Sequence, residues 1–497
     1  MAIFFAPPTA TSGSASHHET AAAANLEASR LAGAALTEAL SGSKEYRKVL
    51  VRAAAGAGKS VALVRMVSEA LAHSACTRVA VAAFANKQVF PLAADLGEEL
   101  GADEVCLFVA EARLHEVPAA TLNAVTVALK STEILESTKV VLGVAHKFGS
   151  FGEAGRILAN LGPAANGDTP FDVLMIDEAW QLPLHLFTRI ERLAPIVVGV
   201  GDVGQLPPID PAQNPWRGDP GYNPYRAWPT AYEDNGTTFA IDLPAVWRPT
   251  AEQLPLWRAF YKEWDQLDCV AAPGDRAIEL HGLKNGRAAA VWRSVATGIP
   301  TLLEVDGLED PEAPDIDRPL LAVVEDLLAS LLKSGFATMT ARYDDTGKLV
   351  DTVRVNSSSP DGEPLVVVLA TRNQAVDNAD EMVTRLIEKY SLPAGVLEAS
   401  TVDSWQGQTN AITVAIHPLS GADQLDDFNS AFGRLAVTCT RATHGLLLVA
   451  RSGLDELLNN APARPGTPFG EPGRRDLPRQ THQRIVESFA RGTQTAE

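Results

Sequence analysis

The sequence predicts a parallel α/β fold built in two related halves. Three observations carry this. Short apolar runs that do not alternate, such as KVLVRAA, RVAVAAF and PIVVGVGD, recur between helical patterns. Continuous apolar strands are expected where helices cover both faces of a parallel sheet. The rhythm stops mid-chain and resumes at PLVVVLATRN, residues 364–373. The chain also has 497 residues, 46% hydrophobic and 21% charged, enough for roughly two to four ordinary globular domains.

The elements follow in order. Residues 1–20 are small and polar and are read as disordered. Residues 19–40 are alanine-rich and helical, and SGS ends that helix. KVLVRAA is a short strand that runs into glycines. VALVRMVSEALAHS then continues as a helix with apolar residues at Val61, Val64, Met66, Val67 and Leu71. Further buried strands are predicted at 78–84, 139–145, 171–178 and 195–202. Residues 205–264 hold ten prolines and five of the eight tryptophans. Residues 250–345 read as helical and irregular, with the acidic loop VDGLEDPEAPDID at 305–317. The second half then offers strands at 364–373, 396–403, 410–416 and 445–451, with a helix at 377–390. From about residue 460 the chain is rich in proline and glycine and closes on a short helical pattern, THQRIVESFARG.

Composition narrows the class. The net charge is −19 and the pI about 5.0, which counts against extensive non-specific phosphate binding and permits a protein partner. No apolar run approaches the roughly 18 residues of a membrane span. No basic stretch precedes the first apolar patch, so a signal peptide is not expected. Cys76, Cys106, Cys269 and Cys439 are scattered, which fits a reducing cytoplasm better than a zinc module or a disulfide scaffold.

Three strings carry chemistry. AAAGAGKS (53–60) ends like a phosphate-binding loop between a strand and a helix. Gly56, Ala57 and Gly58 would bring backbone N–H groups to phosphate oxygens at a helix N-terminus. Lys59 would reach the β- and γ-phosphates, and Ser60 would ligate Mg2+. The pattern's first glycine is replaced by Ala53, where the loop opens, further from the phosphates than Gly56 and Gly58. In LMIDEAWQ an apolar strand ends in two carboxylates: Asp177 is a candidate Mg2+ ligand, and Glu178 is placed to activate water. In VGVGDVGQLPP the Gln205 amide can both donate and accept hydrogen bonds, which suits a γ-phosphate sensor.

In this order AAAGAGKS, DEAWQ and GDVGQLPP resemble motifs I, II and III of superfamily 1 helicases. They are most similar to the branch containing the nonsense-mediated-decay helicase. AAFANKQV (82–89) resembles motif Ia, VLGVAHKF (141–148) motif Ic, LPAVWRP (243–249) motif IV, STVDSWQGQT (400–409) motif V and RLAVTCTRATHGLLLVA (434–450) motif VI. The resemblance spans roughly residues 46–452. It implies two RecA-like lobes, at 21–240 and 241–455, with insertions near 209–240 and 250–345 and a tail at 456–497.

It further implies a Mg2+-dependent ATPase that moves on single-stranded DNA or RNA. ATP would be held by Gly56, Ala57, Gly58, Lys59, Ser60, Val61, Gln406 and Gly407. Glu178, Gln205, Arg248 and Arg441 would serve the chemistry, with the two arginines on the transferring phosphoryl. Asn86, His146, Lys147 and Thr401 would touch nucleic acid. Two departures stand out: no glutamine precedes Gln88, where the family reads adenine, and Gln408 stands where motif V has a glutamate.

Trp216, Arg217, Tyr222, Tyr225, Arg226, Trp228 and Tyr232 would either stack on bases or form the small core of an insertion; a core is the favoured reading. Trp405 is expected to pack in a core. The alternative function is an ATP-driven switch acting on a protein partner such as a nuclease, with no membrane involved.

Overall fold

The computed structural model describes residues 3–10, 13–204, 208, 214–216, 221–261, 264, 266–313, 316–360, 364–370, 373–405, 407–425, 433–461 and 478–496. The chain divides into two compact units. The first comprises residues 24–203 and 207–243, the second residues 1–23, 204–206 and 244–497. Strand β1 (Phe5–Ala6) belongs to the second unit, and helix α1 (His18–Ser41) lies in the first from residue 24 onward.

The first unit continues with β2 (Lys48–Ala53), α2 (Lys59–Ala72), β3 (Val79–Ala83), α3 (Asn86–Leu100), β4 (Val105–Phe108), α4 (Ala119–Ala124) and β5 (Thr126–Ala128). There follow β6 (Val140–Val144), α5 (Ala145–Phe148), α6 (Glu153–Leu161), β7 (Val173–Ile176), α7 (Leu184–Ile190), β8 (Ile196–Asp202) and β9 (Thr238–Leu243). Its eight strands form one sheet in the order β5-β4-β6-β3-β7-β8-β2-β9, and every pairing is parallel. The strands expected at 78–84, 139–145, 171–178 and 195–202 are all present. Every residue of β3, β7 and β8 is buried, which explains their unbroken apolar runs.

The order matters for function. β7, β8 and β2 are neighbours, so their C-terminal ends lie in a row. Asp177 and Glu178 follow β7, Asp202 ends β8, and the glycine loop follows β2. Ligands of open parallel sheets gather at such ends.

The end of the region read as an insertion near 209–240 joins the sheet of the unit. Thr238–Leu243 is β9, in register with β2 from Lys48↔Thr238 to Ala53↔Leu243. Trp228 is fully buried and stacks on Phe187 with centroids 4.1 Å apart and planes 6° apart. For this tryptophan the core reading is correct. Trp216 and Tyr222 stay exposed, and Arg217 lies outside the described residues.

The second unit holds β10 (Ala245–Val246), α8 (Leu254–Phe260), β11 (Asp268–Cys269), β12 (Arg276–Leu280), α9 (Arg287–Val295), β13 (Thr301–Asp306), α10 (Arg318–Ser334), β14 (Phe336–Tyr343) and β15 (Leu349–Asn356). It continues through β16 (Val366–Ala370), α11 (Asn373–Tyr390), β17 (Leu397–Thr401), β18 (Asn410–Ile416), α12 (Gly433–Cys439), β19 (Ala442–Arg451), α13 (Leu454–Asn460), α14 (Pro478–Val486) and β20 (Ala490–Thr495). Seven strands form a sheet in the order β1-β20-β13-β19-β18-β16-β17, parallel except for β1 against β20. A separate antiparallel sheet runs β12-β14-β15.

Two readings of this half are corrected. Residues 250–345 are not merely helical and irregular. They supply β13 inside the sheet, where Leu303 and Val305 share a core cluster with the apolar face of α10 and Leu302 is buried as well. The acidic loop ends in a structural residue: Asp317 accepts the Leu320 N–H at 3.0 Å as the N-cap of α10 and holds Arg451 at 2.7 and 2.8 Å. The two chain ends also contribute order. Phe5 packs on the core and Phe5↔Gly492 pairs β1 with β20. Residues 3–6 therefore stand apart from the expected disorder, and residues 490–495 from an expected tail.

Candidate active site

The loop after β2 is built by backbone conformation. Gly56 has φ 72° and Gly58 φ 92°, in the left-handed region that glycine enters without steric cost. Ala53 needs no such freedom. It is the last residue of β2, fully buried and in register with Asp202 and Leu243, so its methyl group is an ordinary strand side chain. The missing first glycine therefore leaves the loop intact.

The N-cap of α2 is Gly58, which has no side chain of its own to accept from the first-turn N–H groups. Those groups and the helix dipole make a cradle suited to an anion. Ser60 and Val61 lie exposed in this turn, and Val61 is 66% exposed. The buried stripe of α2 is Ala62, Leu63, Met66, Val67 and Ala70, so Val61 faces out beside the loop instead of into the core.

Lys59 meets the carboxylates of the adjacent strand ends. Its Nζ lies 3.0 Å from Glu178 Oε1, 3.1 Å from Glu178 Oε2 and 3.9 Å from Asp202 Oδ2. The three side chains are 11%, 10% and 0% exposed. Asp177 is also buried. Burial drives the Asp177 carboxyl well above the usual carboxylate range; the Glu178 charge adds to this and Lys59 draws it back. One lysine thus faces three carboxylates in a poorly hydrated corner.

Glu178 occupies φ 49°, ψ 48°, a left-handed conformation rare for a residue with a Cβ. Its carbonyl accepts the Gln181 N–H at 2.8 Å, which fixes the turn. β8 runs so close behind that a Cβ on Gly201 would lie 2.7 Å from the Ala179 nitrogen and 2.8 Å from Trp180 Cε3. Gln181 in turn accepts from Gln88 Nε2 at 2.9 Å, and Gln88 Oε1 takes the Ala85 N–H at 2.9 Å, so the turn is tied to the start of α3.

Among the described residues no group of three or more His, Cys, Asp or Glu is placed to hold a metal ion by itself. Mg2+ commonly keeps water and takes phosphate oxygens beside one or two protein ligands, and a hydroxyl and a carboxyl such as those of Ser60 and Asp177 are the kinds of donor it would take. Gln205 and Gln406 lie outside the described residues.

The second unit brings Arg248 and Arg441 together. Arg248 Nη1 donates to the Thr440 carbonyl at 3.0 Å, and Arg441 Nη2 donates to Thr440 Oγ1 at 3.1 Å. Arg441 is 1% exposed and also donates to Val437 O at 3.0 Å and Gln408 O at 3.3 Å. Gly407 sits at φ 88° in an exposed turn. Trp405 is buried and donates to Asn410 Oδ1 at 3.0 Å, as core packing predicts.

The residues assigned to nucleic acid divide. Asn86 opens α3, and His146 is exposed with its ring 6.0 Å from that of Phe84. Lys147 is turned into its own unit. It donates to Leu129 O at 2.8 Å and lies 4.2 Å from the Phe108 ring centroid, and burial lowers its pKa. Thr401 closes a turn, its Oγ1 accepting the Ser404 N–H at 3.0 Å. Asp202 is a site residue that the motif pattern does not name, although GD at a buried strand end beside the loop strand marks it.

No family model and no curated protein matches the chain. Among solved structures it is similar to an arterivirus nonstructural protein 10 (helicase) in complex with DNA, at 14% identity and TM-score 0.40, covering 83% of this chain and 62% of that one. It is similar to the PRRSV helicase at 14% identity and TM-score 0.36, covering 84% and 56%. The Pyrococcus furiosus Hef helicase domain matches at 9% identity and TM-score 0.34, covering 84% and 95%. The chain thus spans about three fifths of the length of the two viral proteins. At these values the functional reading rests on the site. Among the described residues no helix is long and apolar enough to cross a membrane.

Proposed function

We propose that the first unit hydrolyses ATP with Mg2+, and that the chain couples this to movement on, or unwinding of, single-stranded DNA or RNA. One observation carries the reading: Lys59, at a glycine-capped helix N-terminus behind two left-handed glycines, meets Glu178 and Asp202 from the adjacent strand ends. An anion cradle, a cation and a water-activating carboxylate are the parts phosphoryl transfer needs.

The chain's own residues have separate tasks. The first-turn N–H groups of α2 and Lys59 bind phosphate oxygens. To do so Lys59 exchanges Glu178 for phosphate, which frees that carboxylate to accept the proton of the attacking water. Mg2+, when held through Ser60 and Asp177, would neutralise phosphate charge. Val61 offers an apolar surface beside the loop. Arg248 and Arg441 are assigned to the phosphoryl charge by the motif resemblance, and Thr440 keeps them in register with each other. The order of motifs Ia to VI along the chain supports the nucleic-acid part.

The test is an ATPase assay with and without single-stranded DNA and RNA. Turnover should require Mg2+, rise with one of the two strands, and fall by about 10²-fold or more in Lys59→Ala. Glu178→Gln should bind ATP and not turn it over. Normal hydrolysis by either variant refutes the site. A flat response to both strands refutes the motor and favours a protein partner.

A further inference from the structure

α1 contains one buried polar residue that faces the phosphate loop. Asn25 sits in a run of alanines, AAAANLEA, and is 5% exposed. Asparagine is a poor helix-interior residue and costs free energy when buried unless its amide is bonded. Here Nδ2 donates to the carbonyl of Ala57 at 3.0 Å. Ala57 is the residue between Gly56 and Gly58, both at positive φ.

The bond fixes more than one atom. A trans peptide is planar, with its C=O and N–H pointing in opposite directions. Holding the Ala57 carbonyl toward α1 therefore aims the Gly58 N–H away from α1. Gly58 can adopt φ of either sign, so without the bond the 57–58 peptide could turn over at little steric cost. Turned over, it would point a carbonyl where a phosphate needs an N–H.

We infer that Asn25 is a positioning residue that locks the 57–58 peptide of the loop in its anion-binding orientation. This rests on the nucleotide reading of the same loop and adds a residue outside every motif. An unlocked loop populates the competent orientation only part of the time, and apparent affinity falls by that fraction. Once nucleotide is bound, it holds the peptide itself. The signature is therefore a rise in KM with little change in kcat.

The experiment uses the full chain with Asn25→Asp, nearly isosteric but without the donor, and Asn25→Ser, which is too short to reach and covers the case in which the first variant does not fold. KM for ATP is expected to rise about tenfold in each, kcat at saturating ATP to stay within about twofold, and the melting temperature to fall by only a few degrees. A lower melting temperature with KM unmoved means a merely structural role and overturns the inference. So does wild-type behaviour in both variants. If wild-type turnover is not abolished by Lys59→Ala, the site assignment itself fails, a result distinct from an unmoved KM.

Discussion

Lys59→Met should destabilise the nucleotide-free protein, and by more at pH 8 than at pH 5. At 3.0 Å the attraction to Glu178 is about 5 kcal/mol at an effective dielectric of about 20, and the 3.9 Å approach to Asp202 adds about 4. Desolvation cancels much of this, but removal of one partner from a buried pair typically costs about 3–5 kcal/mol, because the other charge stays behind. Here three carboxylates stay behind. For a domain of this size the expected fall in melting temperature is roughly 6–20 °C. The pH dependence supplies the control. Asp177 is already raised, and without Lys59 it rises further, so mild acid neutralises part of the repulsion. Glu178→Gln in the same chain should restore part of the loss, a coupling of about 1–3 kcal/mol. Scanning calorimetry of the single and double variants at both pH values measures all of this. An equal fall at pH 8 and pH 5, or no coupling, refutes the account of Lys59 as the counter-ion of the cluster.

Three further outcomes follow from the same geometry. A carboxyl raised by folding binds its proton more tightly in the native chain than in the unfolded one, so its burden on stability is relieved as pH falls below the raised value and is complete above it. Asp177→Asn should therefore raise the melting temperature at pH 8, and the gain should vanish near pH 4. Gly201→Ala places a methyl group against the Ala179 backbone and the Trp180 ring; it should cost about 1–3 kcal/mol on chemical denaturation and lower kcat by displacing the Glu178 turn. Lys147→Ala should lower stability through its lost contacts with Leu129 and Phe108 while leaving affinity for single-stranded nucleic acid unchanged in a titration, since its ammonium is turned inward.

The parts of the molecule that the sequence reveals are those whose patterns are local. β3, β7 and β8 are unbroken apolar runs, Lys59 opens α2 directly after a glycine, and Asp177 and Glu178 follow the end of β7 side by side. What escaped depends on distant partners. β20 reads ARGTQT, with no apolar pattern, and becomes a strand only because β1 and β13 flank it. β13 lies amid proline and acid and is recognised only by the strands beside it. Lys147 carries the charge of a surface residue, but its bonds lie 18 residues back at Leu129 and on the Phe108 ring. Asn25 bonds a carbonyl 32 residues away, which no side-chain pattern can announce.

The placement of β1 and β20 bears on how the chain is made. Phe5 pairs with Gly492, so the sheet of the second unit joins residues separated by nearly the whole sequence. The first unit occupies almost one continuous run, complete once residue 243 has emerged. At about 5–20 residues per second, translation needs roughly 10–50 s more before β20 exists. The first unit can thus fold on the ribosome while β1 waits unpaired, and a stall anywhere between residues 243 and 490 would leave a folded first unit attached to an unclosed sheet.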